Sequence, residues 1–188
     1  GRLGGSASAR PAIAPAAHRA AAREIPDLCG SVSERTLRRL VKGEWYSDTP
    51  ESGKGELTVE GAGRRGCSWI SMERELQVSA AVMPGTELFD GTRLAIREYT
   101  MRHADARAEE TLSVHDRKIF RAVAGLGDQA FAAHVPGAVP GVILFRDGDL
   151  LVQVTYEERD ERRPLKGEHA VRGAYAAAQE VARALSAH

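Results

Sequence analysis

The residues that come nearest to a cofactor motif are 61–67, GAGRRGC, which fit the G-x-G-x-x-G pattern of dinucleotide-binding folds. That chemistry needs a helix directly after the glycines, because the helix N-terminus supplies the amides and the partial positive charge that hold pyrophosphate. The residues that follow, CSWISM, favour a strand, and the acidic residue that the motif expects at the tip of the next parallel strand has no counterpart in the turn at 83–87. We interpret the stretch as a flexible turn that leads into a strand, and predict no nucleotide cofactor.

A second match, GLGDQA at residues 125–130, fits the looser G-x-G-x-x-A form. The segment QAFAAHV behind it ends at Pro136 and is too short for the required helix. We predict instead that Gly125 and Gly127 adopt positive φ in a tight connection. Asp128 is predicted to cap a turn through the amides that follow it.

The histidines do not form a metal-binding pattern. No pair is spaced as H-x-x-x-H or H-E-x-x-H, so no preformed metal face is predicted. His103 near Asp105, and His115 beside Asp116, are too close in sequence to indicate shared geometry, and each is interpreted as a surface or partly buried residue. The six are His18, His103, His115, His134, His169 and His188.

Motifs for nucleophilic or phosphoryl chemistry do not occur either. There is no G-x-S-x-G elbow, and SGKGE at residues 52–56 lacks the spacing and the Ser or Thr of a Walker loop. The adjacent carboxylates Glu109 and Glu110 would point about 100° apart on a helix, which does not suit a glycosidase pair. A Ser-His-Asp set is defined by geometry rather than by spacing, so a hydrolase with a scattered triad stays as the third functional alternative.

The charges balance over the whole chain. Lys plus Arg (26) equal Asp plus Glu (26), so no net basic field favours nucleic acid, and no nucleic-acid partner is predicted. Two arginine patches can bind an anion, although solvated helix and loop charge is the simpler interpretation. They are Arg35, Arg38, Arg39 and Arg64, Arg65.

Three helices are predicted from capping residues and three-four spacing. The first follows a capping box at Ser31 and Glu34, the second follows Asp90 as N-cap and runs to about Ala108, and the third runs from about Glu168 to Ser186. Their packing positions are Leu37, Leu40 and Val41; then Ile96, Tyr99, His103 and Ala106; then Val171, Ala174, Ala178, Val181 and Leu185.

Two hairpins lie between these helices. CSWISM and ELQVSAAVM surround Glu73 and Arg74, and alternation in the second run predicts a half-buried strand. GVILFR and DLLVQVTY surround the dipeptide Asp147-Gly148, which is the strongest short hairpin signal. Residues 45–54 are interpreted as a loop, and VHDRKIFRAV is ambiguous.

This order of elements predicts an α+β fold with local strand connections. We expect an antiparallel sheet of about five to six strands, with helices packed mainly on one face and the C-terminal helix closing the core. Residues 1–24 are rich in Ala, Pro and Gly and are predicted to be a flexible linker, and residues 25–188 a single domain.

The two cysteines, Cys29 and Cys67, form no C-x-x-C motif, so a zinc ribbon is not indicated. They form either one disulfide, which would restrain the unfolded chain by roughly 4 kcal/mol, or two buried free thiols of a cytosolic protein. The chain starts at Gly1 without a Met and an apolar signal region, so we expect a cytosolic protein or a fragment that has lost its targeting segment. A linker of this composition suits a tether between a membrane anchor and an extracytoplasmic module.

A cysteine before the first helix and another in the following strand belong to a longer pattern. It consists of DLCGSVSERTLRRL, GCSW, GLGDQAF, VILFRDGDLLVQVTY and AAAQEVARALS, and covers about residues 26–187. Together these stretches resemble small secreted and lipoprotein domains of unknown function from actinobacteria, which are similar to the extracellular sensor domain of a mycobacterial serine/threonine kinase. The resemblance implies an antiparallel α+β fold, a Cys29–Cys67 disulfide and no established catalytic residues.

The resemblance also implies a location outside the cytoplasmic membrane, secreted or anchored to its outer face. Our first functional hypothesis is a non-enzymatic ligand-binding, sensory or envelope-associated domain with no cofactor, which acts through a groove between the sheet and its helices. Its partner would be a small molecule or a protein outside the membrane, and a membrane tether would lie on the N-terminal side. The second is an interaction or inhibitory module that binds an envelope protein through an exposed hairpin edge at residues 141–156.

Overall fold

The computed structural model describes residues 23–49, 57–111 and 117–187. The strands are β1 (Tyr46–Asp48), β2 (Gly63–Ile70), β3 (Arg74–Val82), β4 (Ile119–Ala122), β5 (Gln129–Val135), β6 (Val139–Asp147) and β7 (Leu150–Glu158). The helices are α1 (Glu34–Leu40), α2 (Gly91–Ala108) and α3 (Gly167–Ser186), and a 3-10 turn spans Leu28–Gly30.

The strands form one antiparallel sheet in the order β1-β2-β3-β7-β6-β5-β4. The predicted α+β class is confirmed, with seven strands in place of five or six. The additional strands are the two edges. β1 lies in the segment interpreted as a loop and β4 in the segment left ambiguous, and each is too short to show an alternating pattern.

The main core lies between one face of the sheet and the helices α1 and α3. Alternate residues of β3, such as Leu76 and Val78, pack with small residues of α3 such as Ala174 and Ala178. The backbones approach closely, since a Cβ placed on Gly141 of β6 would lie 2.5 Å from the carbonyl carbon of Ala170. The C-terminal helix therefore closes the core as predicted.

The opposite face carries a smaller core beneath α2. Ala95 and Tyr99 of this helix pack with Leu144, Leu151 and Phe131, which point away from α3 because side chains alternate along a strand. The prediction that the helices pack mainly on one face is correct for α1 and α3, whereas α2 packs on the other face. Ile96, predicted to be buried, is exposed, because α2 faces the sheet through the smaller Ala95.

The start of α1 differs from the prediction by two residues. Ser33 is the N-cap and accepts a hydrogen bond from the amide of Thr36 at 3.3 Å. Ser31 is occupied in the preceding 3-10 turn, where its hydroxyl donates to the carbonyl of Leu28 at 2.6 Å. The capping box was assigned to the wrong serine because the sequence offers two.

A disulfide joins Cys29, in the 3-10 turn, to Cys67 of β2, with their Cα atoms 5.2 Å apart. It ties the segment before α1 to the sheet, as the resemblance implied. Most of the predicted linker, residues 1–22, lies outside the described ranges. Arg23 forms an ion pair of 3.3 Å with Asp147 at the tip of the β6–β7 hairpin.

The two glycine-rich matches lie in connections and strands. Residues 63–66 form the start of β2, so the first match leads into a strand as predicted. Gly125 and Gly127 have φ of 81° and 52°, which confirms the second prediction. Asp128 was predicted to cap a turn through the amides that follow it, and this prediction is wrong. Its carboxylate caps the β6–β7 turn, where it accepts a hydrogen bond from the amide of Gly148 at 2.8 Å.

Candidate ligand-binding groove

A groove of about 700 Å³ lies where α1 ends, β3 begins and α3 begins. Five of its lining residues are Lys or Arg, and none is Asp or Glu. We call this site the basic groove. Its residues are Arg39, Leu40, Lys42, Arg74, Tyr156, Pro164, Leu165, Lys166, His169, Arg172, Gly173, Tyr175 and Ala176.

Local structure directs these cations to one place. Arg39 is in the last turn of α1, and Arg74 is the first residue of β3. Lys166, His169 and Arg172 follow one another at three-residue steps from the N-cap of α3, so they lie on one side of that helix. The groove therefore collects charge from three separate segments of the chain.

Arg74 is the central cation of the groove and is only 6% exposed. One guanidinium nitrogen, Nη1, donates to the carbonyls of Glu73 at 3.2 Å and Arg163 at 3.0 Å. Its Nε has no hydrogen-bond partner, and no carboxylate of the described residues pairs with it. Buried charges in proteins are normally paired, but this guanidinium forms no ion pair with a described carboxylate, including that of Glu158, its neighbour across the strands.

Tyr156 forms the wall of the groove next to Arg74. Its hydroxyl donates to the carbonyl of Leu40 at 2.6 Å, and its ring is so close to Gly173 that a Cβ there would lie 2.4 Å from it. Burial raises the pKa of Tyr156, and the nearby charges of Arg74 and Arg39 reduce that rise. The phenol is therefore a fixed, neutral wall at neutral pH.

The amino end of α3 adds positive potential to the groove. Lys166 is its N-cap and supplies no side-chain hydrogen bond to the first amides of this 20-residue helix. The acidic residue of the first turn, Glu168, is engaged by Arg121 of β4 at 3.0 and 3.2 Å. That hydrogen bond lowers the pKa of Glu168 and holds its charge at β4.

The exposed cations of the groove are not neutralised. Within the described chain, Arg39, Lys42, Lys166 and Arg172 form no ion pair. Some arginines outside the groove do form ion pairs, as Arg163 does with Glu73 at 2.7 Å. In a chain of zero net charge, this local excess of cations favours a ligand of negative charge.

Most of the residues considered in the sequence lie outside the groove. Cys29 and Cys67 have a structural role, and of the arginine patches only Arg39 lines the groove. His169 lines it too, whereas His103 lies in an aromatic cluster with its ring 4.9 Å from that of Phe120. His115 and Asp116 lie outside the described residues. Among the described residues, no group of three His, Cys, Asp or Glu side chains is placed to hold a metal ion.

The most buried cation of the groove was not recognised in the sequence. Arg74 was read as part of the link between two strands, although it begins β3 and is buried. The burial of Arg74 depends on tertiary contacts, such as the hydrogen bond to the carbonyl of Arg163, which is distant in the chain. The spacing of Lys166, His169 and Arg172 was a readable signal, because three-residue steps put cations on one side of a helix.

The predicted interaction edge at residues 141–156 is wrong. These residues form β6 and β7, and the hairpin is in the interior of the sheet, since β7 pairs with β3 and β6 pairs with β5. Its backbone groups are therefore used on both sides and are not available to a partner strand.

No helix in the described ranges has both the length and the apolar character needed to cross a bilayer. Comparisons of the chain with protein-family models, with curated proteins and with solved structures find no match.

Proposed function

We propose that this protein is a non-enzymatic ligand-binding or sensory domain outside the cytoplasmic membrane, tethered or secreted, and that the basic groove holds an anionic ligand. The observation that carries the proposal is Arg74, a buried cation without a carboxylate partner at the centre of a groove lined by further cations. A bound anion would provide the missing counter-charge.

The groove suits a ligand that carries phosphate, sulfate or carboxylate. Arginine guanidinium groups match these anions in geometry, and the amino end of a long helix adds backbone donors. Its volume of about 700 Å³ is in the range of small-molecule sites, about 300–1,000 Å³. The remainder of such a ligand can pack on Leu165 and Tyr175, which also line the groove.

Two features support binding without turnover. Among the described residues that line the groove, none is a carboxylate that could orient or activate a base, and His169 is the one imidazole. The hydroxyl of Tyr156 is already bonded to Leu40, and the pKa of Tyr156 is raised by burial. The described residues of this groove therefore do not supply a general acid-base pair. A hydrolase would need such a pair, whereas a binding domain would not.

The proposed location is supported by the disulfide. Structural disulfides persist in oxidising compartments and are rare in the cytosol. The resemblance to extracellular sensor domains led us to expect the same location. A ligand-binding domain in that position would report on, or carry, an anionic small molecule of the cell envelope.

The proposal is tested by calorimetric titration of the oxidised chain with inorganic phosphate, glycerol phosphate and citrate. At least one of these should bind, and Lys166→Gln or Arg39→Gln should weaken that binding about tenfold, the loss of one charge-assisted hydrogen bond. Arg35→Gln is the matched control, since Arg35 is exposed on the same helix as Arg39 but outside the groove. Equal effects of Arg35→Gln and Arg39→Gln would contradict the proposal, as would no binding of any anion.

A further inference from the structure

A second cavity, of about 590 Å³, lies at the end of the sheet where β3 begins and β7 ends, and its lining includes residues from both faces of the sheet. Its floor is formed by Ser68, Gln77 and Thr155. These side chains alternate with residues of the main core, as Gln77 does with Leu76 and Thr155 with Tyr156, so they point to the opposite face. We call this site the polar cleft.

The floor residues are direct neighbours across three strands. Ser68 of β2 is opposite Gln77 of β3, and Gln77 is opposite Thr155 of β7. They are 4%, 9% and 8% exposed. In the described part of the chain, the hydroxyl groups of Ser68 and Thr155 and the side-chain amide of Gln77 form no hydrogen bond.

The residues of this row are largely buried, but their polar groups line the cavity and are not hydrogen-bonded within the described chain. Ser79, the next residue of β3 on this face, is 4% exposed and its Oγ also has no partner. The unused donors and acceptors line a cavity and are available to a bound molecule.

The rim of the polar cleft is acidic, and an exposed aromatic ring outside the lining belongs to the same strand as one of the rim residues. Asp48, Glu75, Glu157 and Glu158 line the cleft, and no Lys or Arg of the described residues does. Tyr46 is 61% exposed and lies two positions before Asp48 in β1, which places its side chain on the same face. The charge of this site is thus opposite to that of the basic groove.

We propose that the polar cleft binds a saccharide that carries no negative charge. Hydroxyl and amide groups on the floor can both donate to and accept from sugar hydroxyls, and the rim carboxylates accept from them as well while repelling anions. The ring of Tyr46 offers a flat apolar surface beside these polar groups. Neighbouring strands are about 4.8 Å apart, so the floor row spans roughly 10 Å, which suits an oligosaccharide.

This site is independent of the basic groove. The two cavities share Tyr156 and Leu165 in their linings, but no charged residue lines both, and the floor of the polar cleft faces away from the main core. Loss of anion binding at Lys166 would leave the cleft unchanged. The domain can then hold an anion on one face and a neutral glycan on the other.

The test is a nuclear magnetic resonance titration of the full 15N-labelled chain with neutral tetrasaccharides of glucose, mannose, galactose and N-acetylglucosamine. We expect at least one of them to shift the amide signals of Ser68, Gln77 and Thr155, and a sulfated tetrasaccharide to leave those signals unchanged. Spermidine is the control for charge without hydroxyl groups. The proposal is overturned if no neutral tetrasaccharide shifts these signals, or if spermidine alone does.

A variant separates binding from a structural role. Thr155→Val removes a hydroxyl that forms no hydrogen bond within the described ranges, so the melting temperature should not fall, while affinity for the shifting tetrasaccharide should fall at least tenfold. Thr100→Val, which removes a hydroxyl on α2 that donates to Ile96 at 2.8 Å, should leave that affinity unchanged. Unchanged affinity of Thr155→Val together with a lower melting temperature would overturn the proposal.

Discussion

The hydroxyl of Tyr156 donates a hydrogen bond of 2.6 Å to the carbonyl oxygen of Leu40. Tyr156 lies in the central strand β7, and Leu40 is the last residue of α1, where carbonyls have no partner within the helix. This bond fixes the end of α1 against the sheet. It also sets the position of Arg39, one residue earlier, at the rim of the basic groove.

Tyr156→Phe should destabilise the fold by about 1–3 kcal/mol, because it leaves a buried carbonyl without a donor. Urea unfolding measures the change. Tyr175→Phe is the matched control, since its hydroxyl bond to Ala124 is longer, at 3.4 Å, and exposed. Equal losses in the two variants would show that the Leu40 carbonyl is satisfied in another way.

Removal of the disulfide by the double change Cys29→Ser and Cys67→Ser should lower the free energy of unfolding by roughly 4 kcal/mol. The bond closes a separation of 38 residues, and the loss is the regained freedom of the unfolded chain. Thermal unfolding of the oxidised, reduced and double-variant proteins measures it, and the reduced protein should match the variant.

Non-reducing mass analysis of protein from its native host should find no free thiol, and finding two would contradict the proposed location.

The contact of α1 with α3 should weaken at acidic pH through Glu180. Burial acts to raise the pKa of Glu180, but hydrogen bonds from Thr36 and Ser33 outweigh it and the pKa is lowered. A lowered pKa in the folded state means that the charged form stabilises the fold above the ordinary value of 4.5, and that this contribution is lost as the pH falls through the folded pKa.

Glu180→Gln should therefore reduce the difference in unfolding free energy between about pH 7 and about pH 3. Urea unfolding at both pH values measures it. Glu87→Gln is the control, since Glu87 is exposed in the loop before α2. If the two variants show the same pH dependence, the hydrogen bond from the Ser33 amide at 3.0 Å does not couple Glu180 to folding.

Gly141→Ala should destabilise the protein by about 1–3 kcal/mol. The new Cβ would lie 2.5 Å from backbone of α3 at Ala170, so the helix has to move from the sheet. Gly63→Ala in β2 is the matched control, because nothing lies within 4 Å of its Cβ position. Melting temperatures of the two variants compare them directly, and an unchanged value for Gly141→Ala would mean that α3 is not seated closely on β6.

Elements with a strong local pattern could be predicted from the sequence. The stripe that includes Val171, Ala178 and Leu185 indicated α3, and Asp147-Gly148 indicated the β6–β7 hairpin. Periodicity and turn residues act over a few positions, so they are visible without the fold. The edge strands β1 and β4 were missed because three or four residues are too few to show a period.

The candidate sites could be predicted only in fragments. Arg39 was recognised as part of a charged patch, but its proximity to Arg74 and Arg172 comes from long-range packing. Alternation indicated that Gln77 faces away from the main core, and a half-buried strand was expected. The structure instead buries Gln77 almost completely, between Ser68 and Thr155.

The sequence by itself determined the local helices and hairpins and the pattern of polar and apolar positions along them. It also supplied the two cysteines that can form a disulfide. The tertiary structure decided that the late hairpin lies in the interior of the sheet, that α2 and α3 cover opposite faces, and that cations from three segments meet in one groove. The physical reason is that hydrogen bonding within a helix or turn depends on neighbours in the chain, whereas strand order and burial depend on contacts between residues far apart in sequence.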